Sequence, residues 1–393
     1  MTKPQQTEQP EATLKRPDFE RIALLLQGGG ALGAYQGGVY QALSEADLHP
    51  TCIAGISIGA INAAIIAGNA PERRVDALRA FWEQITTPLG FASLLPYMID
   101  PKYCDDDFSR GLINQTYAFS TLLGGALGFF APRHLPPFFY PTGRIEKKSF
   151  YDVSPLKETL ERMVDFDRLN SGDMRFSVGA VNVRTGNFEY FDTRTHTIRP
   201  EHIMASGALP PGFPAVEIDG EYYWDGGLVS NTPLQWILET RPREDTLAFQ
   251  VDLWSAHGEL PGDLAGLDLR QKDIRFSSRT RANTDSFKKS QRLRRALHRL
   301  FQMVPEGAVA DDDIEMKLLQ DEADEKVYNI VHLIYRAKAY EASSKDYEFS
   351  RMTMEDHWAS GYKDTLRTLS HPEILDRPAT LDGVLTFDLA QER

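Results

Sequence analysis

The sequence predicts an α/β fold, with a mostly parallel sheet between two layers of helices, and two observations support this prediction. Near the start of the chain, apolar runs of strand length alternate with segments that carry apolar residues at helical spacing. Each of the first two apolar runs ends at a glycine-containing turn that leads into a helix. Because this order of strands and helices is typical of parallel pairing, we expect a three-layer α/β/α sandwich.

The first two strands and helices follow directly from the hydrophobic pattern. Residues 21–27 form a continuous apolar run, as expected for a parallel strand that is buried on both faces. Residues 33–45 then place apolar side chains at helical spacing. A second run, TCIAG, leads into ISIGAINAAIIAG, which predicts a buried helix that ends at Gly68.

The later elements are predicted from composition and turn residues. Residues 72–85 predict a helix, and residues 175–184 and 187–192 predict two strands joined by a short turn. The run TLAFQVDL, residues 246–253, is interpreted as the last buried strand of the core sheet. A strand-like run, KVYNIVHLIYR, and a helix near residues 354–369 follow it.

This pattern divides the chain into three parts. Residues 1–20 are polar and have no apolar signal region, which predicts a disordered leader. Residues 21–255 are predicted to form the main domain, with an insertion at about 88–148 that is Pro-rich and aromatic. The insertion is expected to be a lid or lipid-facing surface, or else an ordinary buried segment. Residues 256–393 are predicted to be a C-terminal extension, basic and then acidic, that packs on the core.

Composition limits the classes of partner and compartment. The 393-residue chain has a formal net charge of −13, which disfavours non-specific nucleic-acid binding. Cys52 and Cys104 are too few for a disulfide framework and fit a reducing compartment. Since no apolar stretch reaches the roughly 20 residues of a membrane span, we expect a cytoplasmic protein, soluble or at most peripheral to a membrane. The basic residues 270–301 allow two interpretations, a solvated amphipathic helix or a segment attracted to an anionic membrane.

The first glycine motif follows the first predicted strand. Gly28 to Gly33 spell G-x-G-x-x-G between a strand and a helix, which is the context of a dinucleotide-binding fingerprint. That fingerprint also requires an acidic residue at the end of the second strand, where this sequence has GISIG instead. Nucleotide binding is therefore the weaker hypothesis for these glycines.

A serine occupies the turn after the second predicted strand. Ser57 lies in Gly55-Ile56-Ser57-Ile58-Gly59, a G-x-S-x-G motif of the kind that exposes a nucleophilic hydroxyl on a strand-to-helix turn. If the two strands are neighbours, the first glycine segment lies beside this serine, and its N–H groups face the reacting carbon. We therefore predict an oxyanion loop, and the alternative is a tight turn that packs a strand against a helix. The loop comprises Gly28, Gly29, Gly30 and Gly33.

The predicted base is an aspartate. Asp225 ends an apolar run and is followed by Gly226 and Gly227, which would let a neighbouring chain approach the carboxylate closely. A histidine would be the more usual partner of a serine, but none of the nine histidines lies in a glycine-rich or otherwise shaped context. The motif therefore favours a Ser57–Asp225 pair.

Taken together, the three motifs resemble those of the patatin-like phospholipases, a family of lipid acyl hydrolases that use a Ser-Asp dyad. G-G-G-x-x-G, G-x-S-x-G and D-G-G occur in this order, each at a predicted strand end, and ASGALPPGFP precedes the aspartate. The similarity covers about residues 22–253, so that 21–255 would be the acyl hydrolase domain. Residues 256–393 look like the extra C-terminal region of some bacterial members.

The resemblance implies a role for each motif. It assigns the nucleophile to Ser57, the base to Asp225 and the oxyanion loop to the glycines from Gly28, and it implies neither a metal nor a cofactor. The expected substrate is a lipid or another acyl ester, cleaved through an acyl-enzyme. Many members have Arg or Lys where this chain has Leu32. The resemblance therefore implies ester hydrolysis and leaves open whether the substrate is a phospholipid or another ester.

Two further hypotheses stay open. An α/β-hydrolase could use Ser57, Asp225 and a later histidine such as His332, although that fold normally has several strands before the serine. A non-catalytic domain could instead act as an adaptor that contacts a membrane or a partner through its basic segment. The oligomeric state is not predicted.

Overall fold

The structure is a computed structural model, and it describes residues 17–89, 93, 106–140, 143–277, 280–305, 313–338 and 340–389. Most of the predicted leader, part of the predicted insertion and Cys104 lie outside the described residues. The last residues of the predicted leader are described, and Glu20 accepts hydrogen bonds from the backbone N–H of Asp245 and from Lys326 Nζ, both over 2.7 Å. Cys52 is a buried free thiol.

Eleven strands are found in the described part of the chain, and nine of them form one sheet. They are β1 (Arg21–Leu26), β2 (Cys52–Gly55), β3 (Ala131–Pro132), β4 (Tyr151–Asp152), β5 (Arg175–Asn182), β6 (Phe188–Asp192), β7 (Val216–Ile218), β8 (Glu221–Asp225), β9 (Thr246–Asp252), β10 (Tyr328–Ile334) and β11 (Val384–Phe387). The large sheet has the order β11-β10-β9-β1-β2-β5-β8-β7, with β6 paired to β5. Strands β3 and β4 pair only with each other.

The sheet is mostly parallel, as predicted. Strand β1 pairs in parallel with β2 and β9, and the pairs β9–β10, β10–β11 and β2–β5 are also parallel. Within the described part of this sheet, the antiparallel pairs are β5–β6, β5–β8 and β7–β8. Every residue of β1 is buried, because its alternate side chains enter two different apolar clusters, with Leu24 on one face and Leu25 on the other.

Helices cover both faces of the sheet. They are α1 (Ala34–Glu45), α2 (Ile58–Ala67), α3 (Arg74–Ile85), α4 (Asp107–Gly124), α5 (Ser154–Met163), α6 (Phe166–Asn170), α7 (Pro200–Ser206), α8 (Leu234–Glu239), α9 (Leu264–Phe276), α10 (Thr280–Met303), α11 (Ile314–Glu322) and α12 (Arg351–Leu369). Helices α1, α2, α3 and α12 contribute to the larger apolar cluster, and α8 and α10 to the smaller one on the opposite face. The structure therefore confirms the three-layer α/β/α sandwich.

One prediction about the sheet is wrong. Residues 246–253 were expected to form its last strand, but β10 pairs with the outer edge of β9 and β11 pairs with β10. Strand β10 is buried along almost its whole length, so it completes the core rather than lying on it. The strand-like pattern of this segment was visible, but a local pattern does not determine which sheet edge a distant strand joins.

The C-terminal helix α12 packs tightly on α1. A side chain on Gly38 would overlap the carbonyl oxygen of Trp358, and one on Gly361 would overlap that of Tyr35. These contacts bring residues from the two ends of the sequence into one helix layer. Within the described residues, no helix is both long enough and apolar enough to span a bilayer.

Candidate active site

Ser57 lies on a sharp turn between β2 and α2. Its backbone has φ 55° and ψ −124°, a conformation that is disfavoured for residues with a side chain. The turn requires glycine on both sides, because a side chain on Gly55 would overlap the carbonyl of Gly59, and one on Gly59 would overlap that of Leu26. This strained turn places the Ser57 hydroxyl in the cavity described below.

Strand β5 brings the aspartate to this serine. Gly55 at the end of β2 pairs with Val178 of β5, and Asp225 at the end of β8 pairs with Ala180, two residues further along the same strand. As a result, Ser57 Oγ donates a hydrogen bond to Asp225 Oδ2 over 2.8 Å. The structure thus brings together the two residues that the sequence predicted as a pair.

Asp225 is buried, with 4% of its surface exposed. Burial raises the pKa of its carboxyl group to about 6, although hydrogen bonds from Gly227 and Ser57 act in the opposite direction. The backbone N–H of Gly227 donates to Oδ1 over 2.7 Å and holds the carboxylate in place. Gly226 is also required sterically, since a Cβ there would lie 2.6 Å from the carbonyl oxygen of Gly179. The described contacts of Asp225 include no cation, so desolvation dominates its pKa.

A second buried Ser–Asp pair, Ser177 and Asp192, shows how the surroundings of a carboxylate determine the direction of its pKa shift. Ser177 Oγ donates to Asp192 Oδ2 over 2.5 Å, but Arg175 Nη2 also lies 2.7 Å from the same oxygen. Burial alone would raise the pKa of Asp192, yet the hydrogen bonds from Arg175 and Ser177 outweigh it and hold the pKa below its usual value. A carboxylate neutralised in this way is a weaker base than Asp225.

The first glycines of the predicted oxyanion loop lie against Ser57. A Cβ on Gly28 would lie 3.0 Å from Ser57 Cβ, so a side chain at this position would crowd the serine. The carbonyl oxygen of Gly28 accepts hydrogen bonds from Asn231 Nδ2 over 3.1 Å and from Trp254 Nε1 over 2.9 Å. Since the peptide is trans, the N–H of Gly29 points away from these donors. Among the described residues, the N–H groups of Gly28, Gly29 and Gly30 have no acceptor, so these donors are available to a ligand.

Gly30 connects this segment to the C-terminal region. It has φ +55°, and a side chain there would overlap the carbonyl oxygen of Asp346. The same oxygen accepts a hydrogen bond from the N–H of Ala31 over 2.8 Å. Gly33, by contrast, does not line the cavity. A Cβ on Gly33 would lie 2.6 Å from Ile58 Cγ1, so this glycine permits close helix packing.

An apolar cavity of about 310 Å³ opens from the Ser57–Asp225 pair and Gly28, Gly29 and Gly30. Three separate parts of the chain build its wall. Phe129 and Phe130 come from the predicted insertion, Phe213 from the segment before β7, and Phe276 and Phe349 from the predicted extension. The rings of Phe129 and Phe130 lie within 6.2 Å of Phe213 and Phe349, centroid to centroid. Such a lining suits an acyl chain.

Ser206, which sequence reasoning did not single out, supports the turn at Ser57. Its Oγ accepts the backbone N–H of Ser57 over 2.9 Å and donates to the carbonyl of Gly179 over 2.6 Å. Ser206 is fully buried at the end of α7. It lies in the quoted ASGALPPGFP segment, whose position shortly before Asp225 was the available signal.

Three residues that hold the glycine segment were not predicted from the sequence. Asn231 lies four residues after the second glycine of D-G-G, so its proximity to that motif was a usable signal. Trp254 follows the end of β9, and Asp346 lies in a loop distant from every motif in the sequence. Neither had a local pattern that marks it.

No histidine lies along this cavity, and all nine histidines are within the described residues. His332 lies on β10 and pairs with Gln250 of β9. His357 comes near the glycine segment, but its Nδ1 lies 3.4 Å from the carbonyl oxygen of Ala31, and its Nε2 contacts Glu341 over 3.1 Å. The geometry therefore offers Ser57 a carboxylate and no imidazole.

The three-layer fold and the Ser57–Asp225 contact beside an apolar cavity agree with the α/β ester hydrolase expected from the sequence. A family profile described as patatin-like phospholipase matches residues 24–236, more than half of the chain, and another described as patatin phospholipase matches residues 274–381. The protein belongs to the patatin-like phospholipase family and is a lipid acyl hydrolase. The family and the enzyme class expected from the sequence are thereby confirmed.

Solved structures of low sequence identity are also similar to the chain. The structure of VipD from Legionella pneumophila is 15% identical with a TM-score of 0.40, and the match covers 94% of this chain and 72% of that one. Human GIVD cytosolic phospholipase A2 is 15% identical with a TM-score of 0.24, over 54% and 24% of the respective chains. ExoU of Pseudomonas aeruginosa, in complex with SpcU, is 16% identical with a TM-score of 0.26, and the match covers 68% of this chain and 52% of that one. A search of curated protein sequences finds no significant match.

Proposed function

We propose that the protein cleaves fatty-acyl esters with Ser57 as nucleophile and Asp225 as general base. The observation that carries this proposal is the 2.8 Å hydrogen bond from Ser57 Oγ to Asp225 Oδ2 at the edge of an apolar cavity. A carboxylate with a pKa near 6 is ionised at neutral pH and is a stronger base than an ordinary aspartate.

The chemistry proceeds in two steps. Ser57 Oγ attacks the ester carbonyl carbon as its proton passes to Asp225, and the protonated Asp225 then gives that proton to the leaving alcohol, which yields an acyl-enzyme. A water molecule attacks the acyl-enzyme while Asp225 takes one of its protons. The carboxylic acid leaves as the proton returns to Ser57 Oγ, and the free enzyme is regenerated.

The backbone N–H groups of Gly28, Gly29 and Gly30 are the proposed oxyanion donors. Their support is that they have no acceptor among the described residues and that they line the same cavity as Ser57. Donors that are already oriented toward a developing oxyanion contribute about 3 to 4 kcal/mol each to transition-state stabilisation. The hydrogen bonds to the Gly28 carbonyl oxygen supply this orientation before substrate binds.

The cavity suits the acyl part of a substrate better than a charged head group. Its described lining contains no Lys or Arg, and Leu32, which replaces the basic residue of many members, is fully buried in the core. A lipid head group would therefore remain outside the cavity, and the enzyme would select for the acyl chain. This supports hydrolysis of simple acyl esters as well as of phospholipids.

Fluorophosphonate labelling followed by intact mass and peptide mapping tests the dyad. We expect a single adduct on Ser57 that is lost in both Ser57→Ala and Asp225→Asn. Ser177→Ala is the matched control, because this buried serine also hydrogen-bonds a buried aspartate but lies outside the cavity. Failure of the folded wild-type enzyme to react, or full labelling of Asp225→Asn, would overturn the proposal.

A further inference from the structure

Helix α4 exposes an apolar stripe. Phe108, Leu112, Phe119 and Leu123 recur at intervals of four, seven and four residues, which places them on one helix face. Between 60% and 82% of each of these side chains is exposed. The opposite face, with Ile113 and Ala118, is buried against the protein. A helix with apolar residues on both faces has a second surface that the described fold leaves uncovered.

A second exposed apolar surface lies in residues 133–140 and 143–150. Phe138 and Phe139 are exposed to 82% and 74%, and Leu135 and Phe150 are also exposed. These residues are interleaved with four basic side chains and one acidic one, although the whole chain is acidic. The basic residues are Arg133, Arg144, Lys147 and Lys148, and none of them forms an ion pair with a carboxylate of a described residue.

Both surfaces reach the mouth of the cavity. Leu122, which is adjacent to Leu123 on α4, lines the cavity and is 43% exposed. Tyr151 lines the cavity as well, and its hydroxyl donates to the carbonyl oxygen of Leu122 over 2.9 Å. Phe150 precedes Tyr151, and its ring lies 6.3 Å from that of Phe138. Each exposed surface therefore adjoins a residue that lines the cavity of Ser57, Leu122 for α4 and Tyr151 for the second surface.

Helix α10 contains most of the basic residues 270–301, for which the sequence allowed attraction to an anionic membrane. In the structure, it contacts an acidic segment of the same chain. Arg294 Nε lies 3.3 Å from Glu322 Oε2, and Arg295 Nη1 donates to the carbonyl of Glu325 over 2.6 Å. Gln291 also donates to Asp324 over 2.6 Å. Part of the basic face therefore packs on the acidic segment that follows it, which lowers the charge available to a membrane.

We propose that α4 and residues 133–140 and 143–150 form an insertion face that docks on an anionic phospholipid bilayer. The face consists of Phe108, Leu112, Phe119, Leu123, Leu135, Phe138, Phe139 and Phe150. Arg133 and Lys148 donate only to hydroxyl and carbonyl oxygens, which leave their charges uncompensated. Exposed aromatic and aliphatic side chains beside basic ones without a described carboxylate partner are the combination that holds a protein at a lipid interface. The inference rests on the proposed function, since it explains how an acyl chain passes from a bilayer into the cavity. It also assigns the predicted lipid-facing insertion to named residues.

Vesicle co-sedimentation of the full chain tests the face. The probe is vesicles of phosphatidylcholine with one quarter phosphatidylglycerol. We expect Phe138→Ser/Phe139→Ser, and separately Leu112→Gln/Phe119→Gln, to weaken binding by at least about tenfold, which is about 1.4 kcal/mol. Leu293→Ser/Leu300→Ser on α10 is the matched control, because these residues are exposed to 63% and 56% but lie outside the face. Hydrolysis of a soluble short-chain ester should be unchanged in all three variants.

The outcomes separate this inference from the proposed function. Binding that is lost in Leu293→Ser/Leu300→Ser but kept in both insertion-face variants would overturn the inference, and so would absence of vesicle binding by the wild type. A dimer that dissociates in the insertion-face variants, without vesicle binding, would assign the face to a second copy of the chain. If Ser57 fails to react with fluorophosphonate while vesicle binding still depends on the face, the proposed dyad fails and the docking surface stands.

Discussion

Ser57 and Asp225 are 168 residues apart in sequence, and their side chains are joined by a 2.8 Å hydrogen bond. The contact depends on β5, which pairs with β2 through Val178 and with β8 through Ala180. It also depends on the turn at Ser57, whose N–H is held by Ser206. Since neither residue can reach the other without this scaffold, the reactivity of Ser57 should respond to changes in β5 contacts as well as in Asp225.

Turnover should not require a histidine. We expect His332→Ala to retain wild-type fluorophosphonate labelling and ester hydrolysis, because His332 lies on β10 away from the cavity. His357→Gln should lower stability, since His357 is buried between Glu341 and Ala31, but Ser57 should still react. Asp225→Asn should reduce kcat by about 10⁴-fold or more. Loss of labelling in a folded His332→Ala enzyme would favour a Ser-His-Asp mechanism.

The rate should depend on the ionisation of Asp225. Because the base acts as a carboxylate and burial raises its pKa to about 6, kcat/KM for a soluble ester should rise with pH and level off above this value. The measurement is a pH–rate profile with a substrate that does not titrate. A profile that is flat from pH 5 to 8, with chemistry rate-limiting, would contradict the role of Asp225 as the base.

The free energy of unfolding should also depend on the ionisation of Asp225, and it should fall as the pH rises. The folded carboxyl has a pKa of about 6 against 3.8 ordinarily, so the folded state binds more protons between these values, and the free energy of unfolding falls as pH rises through them. Asp225→Asn should remove this loss and stabilise the protein at pH 8 by up to about 3 kcal/mol. Asp192→Asn is the control, because the lowered pKa of Asp192 predicts the opposite pH dependence. Urea unfolding of the wild type and of both variants at pH 5 and pH 8 measures these pH dependences. A wild-type free energy of unfolding that rises over this range and is unaffected by Asp225→Asn would refute the raised pKa of Asp225.

Gly30→Ala should disrupt the glycine segment. An alanine at φ +55° is strained by about 1–2 kcal/mol, and its Cβ would also overlap the carbonyl of Asp346. We expect kcat to fall by about 10²- to 10³-fold as the donors move. Gly186→Ala is the matched control, since Gly186 has φ +71° with nothing within 4 Å of the added Cβ. The Gly186→Ala variant should show the backbone strain alone, without loss of kcat. Equal losses of kcat in the two variants would argue against a specific role for Gly30.

Ser206→Ala should lower both stability and turnover. The substitution leaves the N–H of Ser57 and the carbonyl of Gly179 without their buried partner, which costs about 1–3 kcal/mol. Thr365→Ala removes another fully buried hydroxyl, whose hydrogen bond runs to Gly361 within α12. Urea unfolding should show destabilisation in both variants, but only Ser206→Ala should lower kcat with KM little changed. An unchanged kcat would mean that Ser206 does not position Ser57.

Much of the fold could be predicted because its signals are local. The apolar run of β1 and the turn of G-x-S-x-G each report on a few neighbouring residues, and both elements are present where they were expected. The edge position of β10 could not be predicted in the same way, because its pairing with β9 is a contact between distant segments.

By itself, the sequence determined which residues could serve the chemistry. A serine on a glycine-flanked turn, an aspartate before two glycines and a glycine-rich segment are short patterns, and each is governed by the backbone freedom of glycine and by a strand end. Only the tertiary structure decided that Asp225 lies against Ser57, that Asp346 holds the glycine segment, and that α4 presents an apolar face outward. The physical reason is that these features arise from strand register and packing between segments far apart in sequence, which no local pattern specifies.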